Sequence, residues 1–389
     1  MSLRADARHV KLVAAYCGFG LFWGTWAAII PDVKRAIGGN DAELGLALLG
    51  AGLGSVPAMA FAGRLFDRFG QRSLPVTLAL FATTIPLPAL AASPAALFAW
   101  LLVLGAAAGI LDVVMNASVA EEESRTERRL MQAAHAGFSG LFLFGSVLTG
   151  VARGAGAGHG AALVVTAVIV VFIALLNRTA ASPTRRDEHS DRRSIDPALV
   201  ILGAICLLVF VVEGSMEAWS ALHLERTFGT GPTVGALGPG LFALAMVTGR
   251  TVAQIFFRRL SDGLLLLGGG VVAAVGAVMA AAAPAAWVAL VGFVVTGFGA
   301  SVGAPTLFGL AGRASPARGA AVGTVVTVGY IGFLIGPPLV GWISQATNLR
   351  VGFVFLAATA GFFGVAGSSF VRRRFRKRAE APLASASRD

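Results

Sequence analysis

An all-α membrane protein of about twelve transmembrane helices, in two pseudo-symmetric six-helix halves, is the fold class this sequence predicts. The prediction rests on a large excess of apolar over charged residues, a succession of apolar runs of membrane-spanning length, and a long polar segment near the middle. Hydrophobic residues make up 56% and charged residues 13% of the 389, and the mean hydropathy is +0.78. Too little polar surface remains to dissolve a globule of this size, so a bilayer must be the solvent. A spanning helix takes roughly 20 apolar residues. About twelve spans therefore account for nearly the whole chain and leave no room for a large soluble domain.

At the N-terminus, Arg4, Arg8 and Lys11 precede an apolar stretch in the manner of a secretory leader, but the stretch is of full spanning length and lacks a small-residue cleavage site. It reads as the first span, at about 11–31. The first half continues with spans at about 43–62, 73–92, 95–119, 131–152 and 158–177. Residues 178–196 are rich in Arg, Asp, Ser and Pro and read as a linker between the halves. The second half follows at about 197–221, 232–256, 263–284, 286–310, 320–345 and 350–370. The expected domains are thus 1–177, the linker 178–196, 197–370, and a basic cytoplasmic tail over 371–389.

The net charge of +11 would suit nucleic acid, but the basic residues sit in short clusters between apolar runs and in the tail Arg372 to Arg378. Retention at an anionic membrane face explains them better, and no nucleic-acid partner is expected. Lys and Arg concentrate in one alternating set of loops together with both termini. The other set carries only Lys34, Arg35, Arg153, Arg226 and Arg350. Basic residues near span ends stay cytoplasmic, so both termini are expected in the cytoplasm of a multi-pass protein of the inner or plasma membrane.

Cys17 and Cys206 fall inside apolar runs with no metal-ligand spacing. The chain has no GKS or GKT, no HExxH and no GxSxG, and the glycine-rich run Gly154 to Gly160 reads as a turn. Neither an enzyme nor a bound metal or cofactor is expected. The expected partners are a small-molecule substrate, protons and the lipid bilayer, with the chain acting as a monomer.

The most specific motif is Gly63-Arg64-Leu65-Phe66-Asp67-Arg68-Phe69-Gly70-Gln71-Arg72, in the tight turn between spans two and three. Glycines let the backbone turn closely, while Asp67, Arg68 and Arg72 can exchange partners between neighbouring helix ends as the protein rocks. A bland reading is a charged loop that serves sidedness alone. The spacing resembles the signature loop of the major facilitator superfamily. An inexact echo, Gly249-Arg250 followed by Arg258, Arg259 and Asp262, stands at the same place in the second half, as a duplicated six-helix unit would leave it.

Other segments are similar to the fucose-permease-like branch of that superfamily, which contains YbjJ-type transporters. They are Trp26-Ala27-Ala28 to Pro31, Leu44 to Leu49, Leu111 to Asn116 with His135 and Ser139, Glu213 to Met216 with Trp219 to Ala221, and Gly336-Pro337-Pro338 with Gly341. The resemblance implies an alternating-access fold, and it implies that the acid on span four, Asp112 here, is linked to proton coupling. Two departures bear on the substrate: Ile29 stands where relatives carry Arg, and Ala218 precedes the span-seven tryptophan, with the acid one position earlier at Glu217.

Independently of any resemblance, acids inside apolar spans are costly when ionised and usually face a cavity or carry function. Here they are Asp112, Glu213 and Glu217. Asp112 and Asn116 share a helix face, so a carboxyl and an amide point the same way; a permanently protonated strut between helices is the alternative. Glu213 and Glu217 also share a face and would resist joint ionisation, although Glu217 lies near enough to the end of its span to be simply solvated. His135, near the start of span five, is placed to relay protons or to serve as a structural hydrogen-bonding group. Trp23, Trp26 and Trp219 are candidates for lining a substrate path with Asn116, or for packing and interfacial anchoring. Gly336, Pro337 and Pro338 predict a hinge in span eleven, because adjacent prolines remove donors and bend a helix.

The reading that unites these features is a proton-coupled secondary transporter of a small solute. Its alternatives are a proton-driven exporter of a hydrophobic compound, and a non-transporting membrane sensor or scaffold. Span five lacks the Gly-Pro pair typical of the superfamily's proton-coupled drug antiporters, which weighs against that class, while the mainly apolar spans leave export of a hydrophobic compound open.

Overall fold

The computed structural model describes residues 3–126, 130–178, 196–256, 260–315 and 318–385. The described residues are helical with short connections. In chain order the helices are α1 (Leu3–Ile37), α2 (Asp41–Phe69), α3 (Ser73–Thr84), α4 (Pro94–Thr126), α5 (Leu130–Gly154), α6 (His159–Asn177), α7 (Pro197–Phe228), α8 (Pro232–Gly235) and α9 (Leu237–Phe256). They continue with α10 (Asp262–Ala282), α11 (Ala286–Ala300), α12 (Gly303–Ala314), α13 (Arg318–Ala346) and α14 (Leu349–Ser385). Nearly all of the linker, together with Arg258 and Arg259, lies outside the described residues.

Eleven stretches among the described residues are long and apolar enough to cross a membrane, and one of them, Asp41–Leu90, is 50 residues long. That is about twice what a bilayer takes. It is broken at Gly70–Arg72, a short 3-10 segment where Gly70 holds φ at +57°, so it supplies two crossings and the total is the expected twelve. Span eight is α8 with α9, and span ten is α11 with α12. The interruption of span ten at Ser301 and Val302 falls one turn before Pro305, which has no N–H to donate to the Ser301 carbonyl.

Local chemistry explains the helix ends. The chain leaves α1 through Gly38, at φ +62°, a conformation that costs glycine little. Asn40 then caps α2 in a reciprocal box: its side chain accepts from the Glu43 N–H at 2.9 Å, and its own N–H donates to Glu43 Oε2 at 2.8 Å. Ser261 caps α10. On α6, Val164, Val168 and Phe172 are exposed, the face expected to meet lipid.

Small residues bring helix backbones together, as lipid-embedded packing requires. A Cβ placed on Gly24 would lie 2.0 Å from the Phe142 carbonyl oxygen, so α1 and α5 touch through their backbones. The same holds for α2 with α4 at Gly105, 2.0 Å from the Ala51 carbonyl oxygen, and for α10 with α11 at Gly276, 2.3 Å from the Thr296 nitrogen.

The described residues fall into two compact units. The first takes those of Met1–His189, Met216–Leu244 and Pro337–Leu349; the second takes those of Ser190–Ser215, Ala245–Gly336 and Arg350–Asp389. The first unit thus adds to the first six spans one end each of spans seven, eight and eleven. In α13 the division falls between Gly336 and Pro337.

Candidate functional site

In the first unit, the span-four acid sits in a chain of polar contacts across three helices. Asn116 lies one helical turn after Asp112 on α4, and its Nδ2 donates both to the Asp112 carbonyl oxygen at 2.8 Å and to Asp112 Oδ1 at 3.1 Å. An asparagine inside a helix commonly turns back on the preceding turn in this way. The other end of the amide is held from α1, where the Tyr16 hydroxyl donates to Asn116 Oδ1 at 2.9 Å. The Tyr16 ring in turn meets His135 of α5 edge-on, with centroids 5.3 Å apart. Asp112, Asn116 and His135 are therefore linked, and the group that links them is Tyr16, which the sequence reading passed over. Its signal was scarcity, since the chain contains only 2 tyrosines.

Asp112 is half-buried, and no cation among the described residues pairs with it. Its side-chain partner is a neutral amide, so nothing positively charged compensates an ionised form.

Along α1, one helical stripe continues from Tyr16 through Phe19 to Trp23. Trp23 packs edge-on to Phe19 and Phe22 at 6.0 and 5.1 Å, and Phe19 also meets Phe81 and Phe138. Trp23 and Phe138 border a core of Ala27, Phe142 and Ala243. Trp26 is buried. Trp219 is fully buried and donates from Nε1 to the Pro337 carbonyl oxygen at 3.2 Å, tying α7 to the proline pair. Gly45 and Gly341 complete this contact: a Cβ on Gly45 would lie 2.9 Å from Pro338 Cα, and one on Gly341 would lie 3.1 Å from the Trp219 ring.

In the second unit, Glu213 is buried and its Oε1 has no hydrogen-bond partner among the described residues; the Arg250 Nε is likewise buried and unbonded. Glu217 is half-buried and belongs to the first unit. Gly336 packs against Val211 and Ser215, and α13 stays helical through Pro337 and Pro338.

The charged ends of the first unit differ. In the turn at Gly63 to Arg72, Asp67, Arg68 and Arg72 are exposed and form no ion pair among the described residues, while Arg68 lies over the Phe69 ring at 5.3 Å. Close by, fully buried Glu122 binds Arg8 at 2.9 Å, His9 at 3.3 Å and Arg125 at 2.7 Å, fastening the start of α1 to the end of α4.

At the opposite end, which carries the turns at 38–40, 155–158 and 229–231, charges interlock. The Arg153 side chain, 1% exposed, spends all five of its N–H donors. It reaches both Asp32 oxygens at 2.7 and 2.6 Å, both Glu225 oxygens at 2.8 and 3.3 Å, and the Ala28 carbonyl oxygen at 2.6 Å. Asp41 is held by Arg226 at 2.6 and 2.7 Å, by Lys34 at 2.7 Å and by the Ser344 hydroxyl at 2.5 Å. Paired charges of this kind tolerate burial, whereas removal of one partner strands the others. Sequence reading saw these residues as markers of sidedness and missed that they meet.

The Major Facilitator Superfamily profile matches residues 12–317 and 205–388. An uncharacterized MFS-type transporter of Yersinia pestis is 35% identical over 320 residues, 79% of this chain and 80% of its own. Membrane protein MosC of Rhizobium meliloti is 32% identical over 74% of this chain and 72% of its own. Among solved structures, a mutant form of the nucleoside transporter NupG superposes with a TM-score of 0.80 at 13% identity, covering 93% of this chain and 99% of that one. A D-xylose-proton symporter superposes with a TM-score of 0.71 at 17% identity, covering 93% and 96%. Likeness at that level of identity speaks to the fold; the profile and the sequence relatives speak to descent. This chain is a multi-pass membrane transporter, not an enzyme, and it belongs to the Major Facilitator Superfamily.

Proposed function

We propose that this chain is a proton-coupled secondary transporter of a small solute, of the fucose-permease-like branch, in which Asp112 takes up and releases the coupled proton. The observation that carries the reading is the arrangement Asp112–Asn116–Tyr16. A half-buried carboxyl without a cationic partner is hydrogen-bonded through a neutral amide to a residue of another helix. Protonation changes what Asn116 faces from an acceptor to a group that also donates, and Asn116 hands that change to α1 through Tyr16. His135, beside Tyr16, stands on the route towards the end of the unit where the termini lie. Glu213, Glu217 and Arg250 supply further titratable and charged groups on the second-half helices.

Alternating access then needs latches at the two ends. The interlocked cluster of Arg153, Asp32, Glu225, Asp41, Arg226 and Lys34 is the latch at one end. Asp67, Arg68 and Arg72 are its counterpart at the other, unpaired when the first is made, with Gly336, Pro337 and Pro338 the place where α13 bends between states. The bias of Lys and Arg puts the termini and the turn at Gly63 to Arg72 in the cytoplasm, and the interlocked cluster outside. The chain acts as a monomer. The aromatic surface of Phe19, Trp23 and Phe138 suits either stacking against a sugar ring or passage of an apolar compound, so a proton-driven exporter is the second reading.

The test is flux into proteoliposomes under an imposed pH gradient, with solutes chosen by a thermal-shift screen of sugars, acids and apolar compounds, because a ligand of the folded state raises its stability. The expected result is gradient-driven movement of at least one solute class, inward for uptake and outward for export. If no ligand found in the screen moves in either direction, the transporter reading is wrong and a sensor or scaffold takes its place.

A further inference from the structure

The loops at the 38–40 end carry few basic residues, yet Lys34, Arg35, Arg153 and Arg226 gather in one place there. A cavity of about 380 Å³ opens among them, lined by Lys34, Arg35, Arg226 and Glu225 with the apolar surfaces of Pro31 and Leu222. Its volume lies at the lower end of the range for small-molecule sites. The cations of the surrounding cluster are Lys34, Arg35, Arg153 and Arg226, and the acids are Asp32, Asp41 and Glu225. That leaves one positive charge unmatched within the cluster. Among the residues that line the cavity, three cations, Lys34, Arg35 and Arg226, face one acid, Glu225; Glu43, which caps Asn40, keeps its negative charge but does not line the cavity.

Donors are also in surplus. Lys34 spends one of its three N–H groups, on Asp41. Arg226 uses its two Nη atoms on Asp41 and Ser344, and its Nε makes no hydrogen bond among the described residues. Arg35 is 63% exposed and reaches Asp32 and Glu225 through its Nη atoms alone. By contrast Arg153, behind the cavity, has no donor left. A net positive charge beside a partly enclosed cavity, with spare N–H groups on three cations, is the chemistry that holds an oxyanion.

We propose that this cavity is a binding site for a small oxyanion, the carboxylate or phosphate of an entering solute or of a lipid headgroup, held by Lys34, Arg35 and Arg226. Because those cations also hold Asp41 and Glu225, the bound anion competes for the contacts that close this end, and its arrival loosens the latch. The site is separate from Asp112, so it stands or falls independently of proton coupling.

The experiment is a thermal-shift titration of the purified full chain in neutral detergent, with inorganic phosphate and with gluconate. Glucose is the neutral counterpart and sodium chloride the ionic-strength control. A saturable stabilisation by at least one anion, absent with glucose and matched salt, is expected. Arg35→Gln should weaken the apparent affinity about five-fold, as for one exposed charge contact, with a small drop in the ligand-free midpoint because its exposed pairs with Asp32 and Glu225 are also lost; Arg313→Gln, an exposed arginine of the second unit, should leave the affinity unchanged. Repeating the titration in phosphatidylglycerol and phosphatidylcholine nanodiscs separates the sources. A response lost only in phosphatidylglycerol assigns the site to a lipid headgroup, and one kept in both assigns it to a free solute. No stabilisation beyond matched salt in detergent, or one that survives both Arg35→Gln and Arg35→Glu at full affinity, overturns the proposal.

Discussion

Tyr16 is the least conspicuous of the polar residues in the spans, and it joins more of the candidate site than any other. Its hydroxyl holds Asn116, Asn116 holds Asp112, and its ring meets His135. Tyr16→Phe keeps the packing and removes one buried hydrogen bond, which contributes about 1 kcal/mol. Folded yield should survive, transport should slow several-fold, and the pH profile of transport should change shape, as measured in proteoliposomes at a series of pH values. A purely structural tyrosine would leave that profile unaltered. Arg153 is the opposite case, since its saturated guanidinium is structural whatever else it does. Arg153→Met strands Asp32 and Glu225, and thermal melting should show a loss on the order of 3–5 kcal/mol. Arg153→Lys should not restore it, because a lysine has three donors and cannot grip two carboxylates bidentately.

The helices were legible from hydropathy and turn chemistry because both are local. Leu130–Gly154 and His159–Asn177 lie close to the spans read from sequence at 131–152 and 158–177, and the turn at Gly70 broke a 50-residue apolar stretch where the glycine-rich motif said it would. The site was legible in part: Asp112 and Asn116 are four apart on one helix, so periodicity alone puts them together. What joins them to α1 was hidden, as were the pairings of Arg153 with Asp32 and Glu225, separated by 121 and 72 residues. Loop charge states which side a residue is on, but partner choice depends on which helices are neighbours. Small residues set that neighbourhood. Gly105→Ala places a methyl 2.0 Å from the Ala51 carbonyl oxygen and must push α2 from α4, at a cost of about 1–3 kcal/mol or more. Gly140→Ala, where a Cβ meets nothing within 4 Å, should be neutral or mildly stabilising. Melting temperatures of the two variants, compared in one detergent, decide whether close packing rather than glycine content holds these helices.

At the scale of the whole molecule, three of the segments that carried the family resemblance meet one another. Gly45, Trp219, Pro337, Pro338 and Gly341 pack together, and the break between the two compact units in α13 falls within the same Gly-Pro-Pro run. The region where second-half helices join the first unit is thus the region where bending is proposed, next to the interlocked charges. Coupling requires that this movement depend on the protonation of Asp112. The most direct measurement is accumulation of an identified solute against its own gradient in proteoliposomes driven by a pH gradient, with wild type and Asp112→Asn compared side by side. Wild type should concentrate the solute while Asp112→Asn only equilibrates it. Undiminished accumulation by Asp112→Asn under the same pH gradient would contradict the assignment of Asp112 as the coupling acid.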